Sequence, residues 1–139
     1  MRTNERGAAA SVWIALLVLV LGLVIGITVD LTGQVNAQQR AVDIAQQAGR
    51  AAANQVQSAQ AMQGRSPAID IAAARTAAAA YLASTGVQGT VTVTGPQSLH
   101  VHVTTTYQPR FLGTIGIGPR PVNGDTDVSL SRVVNGVQR

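Results

Sequence analysis

Residues 7–29, GAAASVWIALLVLVLGLVIGITV, form one uncharged apolar run. The run is longer than the roughly 20 apolar residues a helix needs to cross a hydrocarbon core. It is apolar on every face, whereas a core helix in so short a chain would be expected to keep a polar side. Arg2 and Arg6 outweigh Glu5 before the run, and Asp30 follows it. The positive-inside rule therefore places residues 1–6 in the cytoplasm, 7–29 across the membrane and 30–139 outside, with Trp13 near the cytoplasmic interface. A cleavable secretory signal is the competing reading, because Val35-Asn36-Ala37 has suitably small residues and would leave Gln38 as the new N-terminus. The apolar run exceeds the roughly 7–15 residues of a signal core, and the cleavage site would fall far past its end. A retained anchor is the better expectation.

Beyond the span no Pro occurs before residue 64, so the helix is expected to continue through an extracytoplasmic extension, residues 30–64. Leu31, Val35, Gln38, Val42, Ala45, Gly49, Ala52 and Val56 alternate in steps of four and three, and all but Gln38 are apolar or small. Within the span Gly22 and Gly26 form a GxxxG pair, and Gly33 lies seven residues further on. Small residues let helices approach closely. The predicted packing seam is Gly22, Gly26, Gly33, Val35, Val42, Ala45, Gly49, Ala52 and Val56. Its partner is either the protein's own second helix or sheet, or a neighbouring copy or partner helix in a filament or membrane complex.

Residues 65–139 predict a small α+β head. Ser66 and Pro67 read as an N-cap and first helical residue, with Asp70 in the first turn. The helix should run to about Thr85 and stop at Gly86. Its thin apolar face centres on Ile69, Ala73, Ala77, Ala80 and Tyr81. Periodicity then changes to two, with strands at 90–94 and 98–107 joined by a Gly95-Pro96 turn. Leu99, Val101, Val103 and Tyr107 share one face of the second strand; His100, His102, Thr104 and Thr106 share the other. A third strand over about 125–134 points Val128 and Leu130 inward. The segment RFLGTIGIGP, residues 110–119, is too short and too Gly-rich to span a bilayer and reads as a loop or helical turn covering an end of the core. The alternative is an exposed apolar patch touching a partner or the membrane surface. The expected fold class is α+β: a long transmembrane helix extended outside the membrane, a short second helix and a small antiparallel sheet.

Composition narrows the function. There is no cysteine, which excludes disulfides and thiolate chemistry. The formal charge is +4, but the Arg residues are scattered, with no basic patch to follow a phosphate backbone, so no nucleic-acid partner is expected. His100 and His102 form an i, i+2 pair that begins a metal site but has no cysteine or nearby acidic residue in sequence to complete it. A solvated strand face is the expectation. With Asp125 and Asp127 read as flanking a turn and no nucleophile motif or phosphate loop in view, no catalytic, cofactor-binding or metal residues are assigned.

Several segments together resemble the TadE/TadG-like group of tight-adherence (Flp-type) pilus systems, in its actinobacterial form. They are the short N-terminus ending Arg6-Gly7, the apolar helix closing at Asp30, and the extension QVNAQQRAVDIAQQAGRAAA; YLASTGV, TVTVTG and VTTTYQPRFLGTIGIGP follow. The resemblance covers nearly the whole chain and implies a non-enzymatic, pilin- or pseudopilin-like membrane component. It would self-associate through its N-terminal helix or meet pilus subunits and assembly proteins, in the cell membrane or a surface filament. Pilins of this broad class are cut after a Gly, with Glu fifth in the mature helix. Gly7 is the matching position, but the fifth residue after it is Val12 and Glu5 precedes it. The alternative is an anchored envelope-binding or adhesin-like module outside any filament. A metal-dependent envelope enzyme using His100 and His102 ranks lower.

Overall fold

The computed structural model describes residues 5–63, 70–130, 133–134 and 137–138. Helix α1 runs Glu5–Gln63 and α2 Ile71–Thr85. Strands β1 (Gln88–Gly95), β2 (Ser98–Tyr107) and β3 (Arg120–Ser129) follow, with a 3-10 turn at Leu112–Ile115 between the last two. A short antiparallel pair, β4 (Val133–Val134) and β5 (Val137–Gln138), closes the chain. Contacts divide it into two units. One is Met1–Val35 with Tyr107–Arg120; the other is Asn36–Thr106 with Pro121–Arg139.

The second unit is the α+β head. Its sheet has the order β1-β2-β3, with β1 and β2 antiparallel so that Val91 lies opposite Val101 and Val93 opposite Leu99. Leu99, Val101 and Val103 are fully buried, as the period-two pattern requires. They join Ala41, Ala45, Ala48 and Ala52 of α1, Ala74, Ala78 and Leu82 of α2, and Val91 and Leu130 in one apolar core. Four alanines spaced four, three and four residues apart mark one helix face. That face includes Ala41 and Ala48, which lie outside the predicted seam, and it leaves Gln38 exposed.

Three expectations need correcting. The second helix begins at Ile71, and Asp70 is its N-cap, accepting a 3.0 Å hydrogen bond from the Ala73 N–H. Ser66, Pro67 and Ile69 lie outside the described residues. The buried face of α2 is Ala74, Ala78 and Leu82; Ala73, Ala77 and Tyr81 are half-buried and Ala80 is exposed. Leu82 is the one large side chain of that buried face, while Tyr81 is half-buried with its hydroxyl donating to Gln47 Oε1 at 2.5 Å. The helix ends as predicted, at Gly86 with φ 68°.

The third correction concerns β3, which begins five residues earlier than expected, at Arg120, and ends at Ser129, with Val133–Val134 belonging to β4. Pro121 and Asn123-Gly124 resemble turn signals, yet Pro is tolerated on an edge strand, where no inward ladder bond is lost. Gly124 is there for contact: a Cβ would collide with backbone atoms of Ala41 and Val42. Val122 and Gly124 are buried, Thr126 and Val128 half-buried, and Leu130 buried, so the inward parity holds throughout. Asp125 and Asp127 therefore project from the opposite face, inside a strand.

Gly124→Ala should destabilise the full chain by about 2–3 kcal/mol, since both colliding groups are backbone and cannot turn aside. Gly113→Ala, where nothing lies within 4 Å of the added carbon, should stay within about 0.5 kcal/mol of wild type. Denaturant unfolding in detergent, followed by circular dichroism, separates the two.

Candidate functional site

In the first unit α1 exposes its large apolar side chains on all sides. Trp13 is 71% and Leu19 67% exposed, and the pattern continues through Val29. Its hydroxyls are satisfied within the helix: Thr28 Oγ1 donates to the Val24 carbonyl and Thr32 Oγ1 to that of Thr28. Such a helix is long and apolar enough to cross a membrane.

Asp30 is the exception in this surface, at 2% exposure. The segment after β2 folds over it. Asp30 Oδ1 accepts the Tyr107 hydroxyl at 3.2 Å and the Arg110 N–H at 2.7 Å. Oδ2 accepts the Phe111 N–H at 3.0 Å and the Leu112 N–H at 2.6 Å. Both oxygens are thus used twice, which approaches the full accepting capacity of a carboxylate. Backbone bonds then curl the loop into its 3-10 turn: Thr114 N–H to Phe111 O, Gly116 N–H to Gly113 O and Ile117 N–H to Leu112 O. Gly116 allows the exit with φ 90°.

This arrangement corrects the reading of residues 110–119 as a cover for the core. The loop lies along α1 itself. Phe111 sits on Gly26, whose missing Cβ would be 3.1 Å from the Phe111 Cβ, and the Tyr107 ring occupies the space over Gly33. Phe111, Leu112, Thr114 and Ile115 with Gly22, Leu23, Gly26 and Ile27 line a shallow apolar cleft. Phe111 and Ile115 remain 50% and 62% exposed.

The predicted seam is therefore largely occupied within the chain. Gly26 and Gly33 receive Phe111 and Tyr107. Ala45, Gly49 and Ala52 are buried in the head, where Val128 fills the place of a Gly49 side chain, and Val42 and Val56 are half-buried. A Cβ added at Gly22 would meet nothing within 4 Å, and Val35 is 53% exposed. Gly7 also stands in open space on the exposed start of the helix.

A second polar group lies on the outer face of the head sheet. His100 Nδ1 meets Asp127 Oδ1 at 2.8 Å and its Nε2 lies 3.4 Å from Asp125 Oδ1, while His102 Nδ1 meets the same Asp125 oxygen at 2.5 Å. The hydrogen bond to Asp127 raises the His100 pKa above 6.5, and that from His102 lowers the Asp125 pKa below 3.8. Ligand atoms of His100, His102 and Asp125 lie within 4.8 Å of one another, close enough to hold a divalent cation. A third strand begun at about residue 125 hides these acidic partners from the sequence, because it leaves them at a turn. Asp30 reads in sequence only as the end of the span. An acid set immediately after an apolar run needs donors, however, and the uncharged loop has N–H groups to give.

Taken together, the chain is an α+β head carried on a long helix whose first half is uniformly apolar. Residues 7–55 match the family model described as putative Flp pilus-assembly TadE/G-like. The chain carries a TadE/G-like N-terminal segment, which supports a role in Flp-type, tight-adherence pilus assembly. No curated protein and no solved structure matches it.

Asp30→Ala should speed amide hydrogen exchange at Arg110, Phe111 and Leu112 by at least about tenfold while leaving the β1–β2 amides unchanged. Asp30→Asn should fall between, because its one carbonyl oxygen replaces two accepting oxygens and its amide nitrogen faces donors. For the His–Asp ladder, the raised His100 pKa makes its stabilisation complete below pH 6.5 and lost as pH rises through the shifted value. The lowered Asp125 pKa makes its share complete above pH 3.8 and lost as pH falls. The gap in melting temperature between wild type and the double variant His100→Gln/Asp125→Asn should thus be widest between those two values and narrow on either side.

Proposed function

We propose that this protein is a single-pass, membrane-anchored, non-enzymatic component of tight-adherence pilus assembly, of minor-pilin or pseudopilin type. The observation that carries the reading is coincidence: the TadE/G-like match over residues 7–55 falls on the part of α1 that combines an exposed apolar stretch with an Ala-lined face. The apolar stretch spans the bilayer, with residues 1–6 in the cytoplasm by the balance of Arg2 and Arg6 against Glu5. The head stands outside, where it meets pilus subunits or assembly proteins. Gly7 is the candidate processing position, and Val12 stands where processed pilins carry Glu, so the chain works uncut as an accessory at the assembly machine. Self-association would run through the parts of α1 left open, around Gly22 and Val35.

Intact mass of the native protein, taken separately from the membrane pellet and from sheared surface material, tests this. The expected result is full-length chain in the pellet. A form beginning at Ala8 in the sheared fraction would replace the uncut accessory with a processed filament subunit. A form beginning at Gln38 in the medium would overturn the anchor.

A further inference from the structure

We propose that residues 110–117 form a second membrane contact, seated in the headgroup–acyl boundary at the C-terminal end of the span, with Phe111 and Ile115 among lipid chains. The inference rests on the anchored reading above and extends it from the helix to the loop. The position follows from helix geometry. The loop is tied to Asp30, yet its apolar residues lie beside Gly22, Leu23, Gly26 and Ile27, which at 1.5 Å per residue are about 4–12 Å further into the apolar run. Apolar groups of interfacial segments reach about 5–10 Å into that same boundary.

Chemistry agrees with position. No charge occurs from Phe111 to Pro119. Phe111 and Ile115 are half or more exposed, and they continue the exposed apolar surface of α1 rather than interrupting it. Lipid is the occupant this continuity selects, because whatever solvates Leu23 and Ile27 also meets the cleft beside them. Arg110, exposed at the start of the loop, has the long stem and charged head that reach back to lipid phosphates.

The backbone is also prepared for low polarity. Irregular chain at membrane depth survives only where its N–H groups find partners in the protein. Here Asp30 takes those of Arg110, Phe111 and Leu112, and loop carbonyls take those of Thr114, Gly116 and Ile117. An exposed loop in water can take such bonds from solvent; among lipid chains it must take them from the protein, and here it does.

The test uses the full-length chain in phosphatidylcholine vesicles, with Trp13→Phe removing the natural indole and Ile115→Trp supplying a probe at an exposed site. Leu19→Trp in the same background reports the middle of the span. Lipids carry bromine either near the glycerol end or near the methyl end of the acyl chain. The Ile115→Trp emission should fall by roughly half with the shallow bromines and less with the deep ones, as interfacial depth requires. Leu19→Trp should show the reverse order. If Leu19→Trp is quenched while Ile115→Trp is unquenched and open to acrylamide, the loop lies in water and the proposal fails. If Ile115→Trp is shielded from both bromine and acrylamide, a protein neighbour covers the loop and lipid contact is again excluded. Failure of Leu19→Trp to quench at all would overturn the anchored reading itself, and the loop contact with it.

Discussion

The closest apolar packing on α1 falls at positions where the helix has almost no side chain. Phe111 rests on Gly26, Tyr107 on Gly33 and Val128 on Gly49, while Gly124 brings strand backbone onto Ala41 and Val42. Each contact pairs a bulkier group with a gap, or two backbones with nothing between them. The chain has few aromatic residues and a core dominated by alanine, so burial of large side chains cannot supply much stabilisation. Close approach is the substitute: short separations restore dispersion contacts that small residues lose when they are held apart. The same rule operates in both units, and it explains why a helix so rich in Ala and Gly can organise the residues that follow it.

Asp30 adds a directional tie to this non-directional packing. A carboxylate at 2% exposure is costly unless its oxygens are occupied. Four donors from the 107–112 segment satisfy it, and three of those are backbone N–H groups that would otherwise lie unpaired beside an apolar helix. Each side of the arrangement removes the other's penalty, so neither half is stable in that place alone. The acid thus fixes where the loop sits along α1, and Phe111 over Gly26 fixes which face it uses.

How much of this is legible in the sequence varies with the kind of signal. Period-two alternation locates β2 to the residue and sorts Leu99, Val101 and Val103 from His100 and His102. The Gly86 stop is equally plain. The start of β3 is hidden because Pro121 and Asn123-Gly124 are turn-formers by local propensity, and only the approach of Ala41 explains a glycine there. A strand begun late separates Asp125 and Asp127 from the histidines they face. The helix seam shows a different limit. Alternation of small residues marks α1 as a packing surface, but small residues receive a strand, a loop or another helix equally well. Only tertiary contacts distinguish Phe111, Tyr107 and Val128 from a neighbouring copy.

If the small face of α1 were free along its length, lateral helix packing would be its natural use. With Gly26, Gly33, Ala45, Gly49 and Ala52 already occupied inside the chain, a neighbour is left with the apolar run around Gly22 and the surface near Val35. Association through α1 is then weighted toward the stretch proposed to lie in the bilayer, where small residues and van der Waals fit drive helix contacts without a hydrophobic difference from lipid. The head's outer sheet face carries the His–Asp ladder. The TadE/G-like segment covers residues 7–55, so it includes the open stretch of α1 and most of the face the head buries. Within that segment the apolar run stays exposed, while Ala41, Ala45, Ala48 and Ala52 are buried in the core of the head.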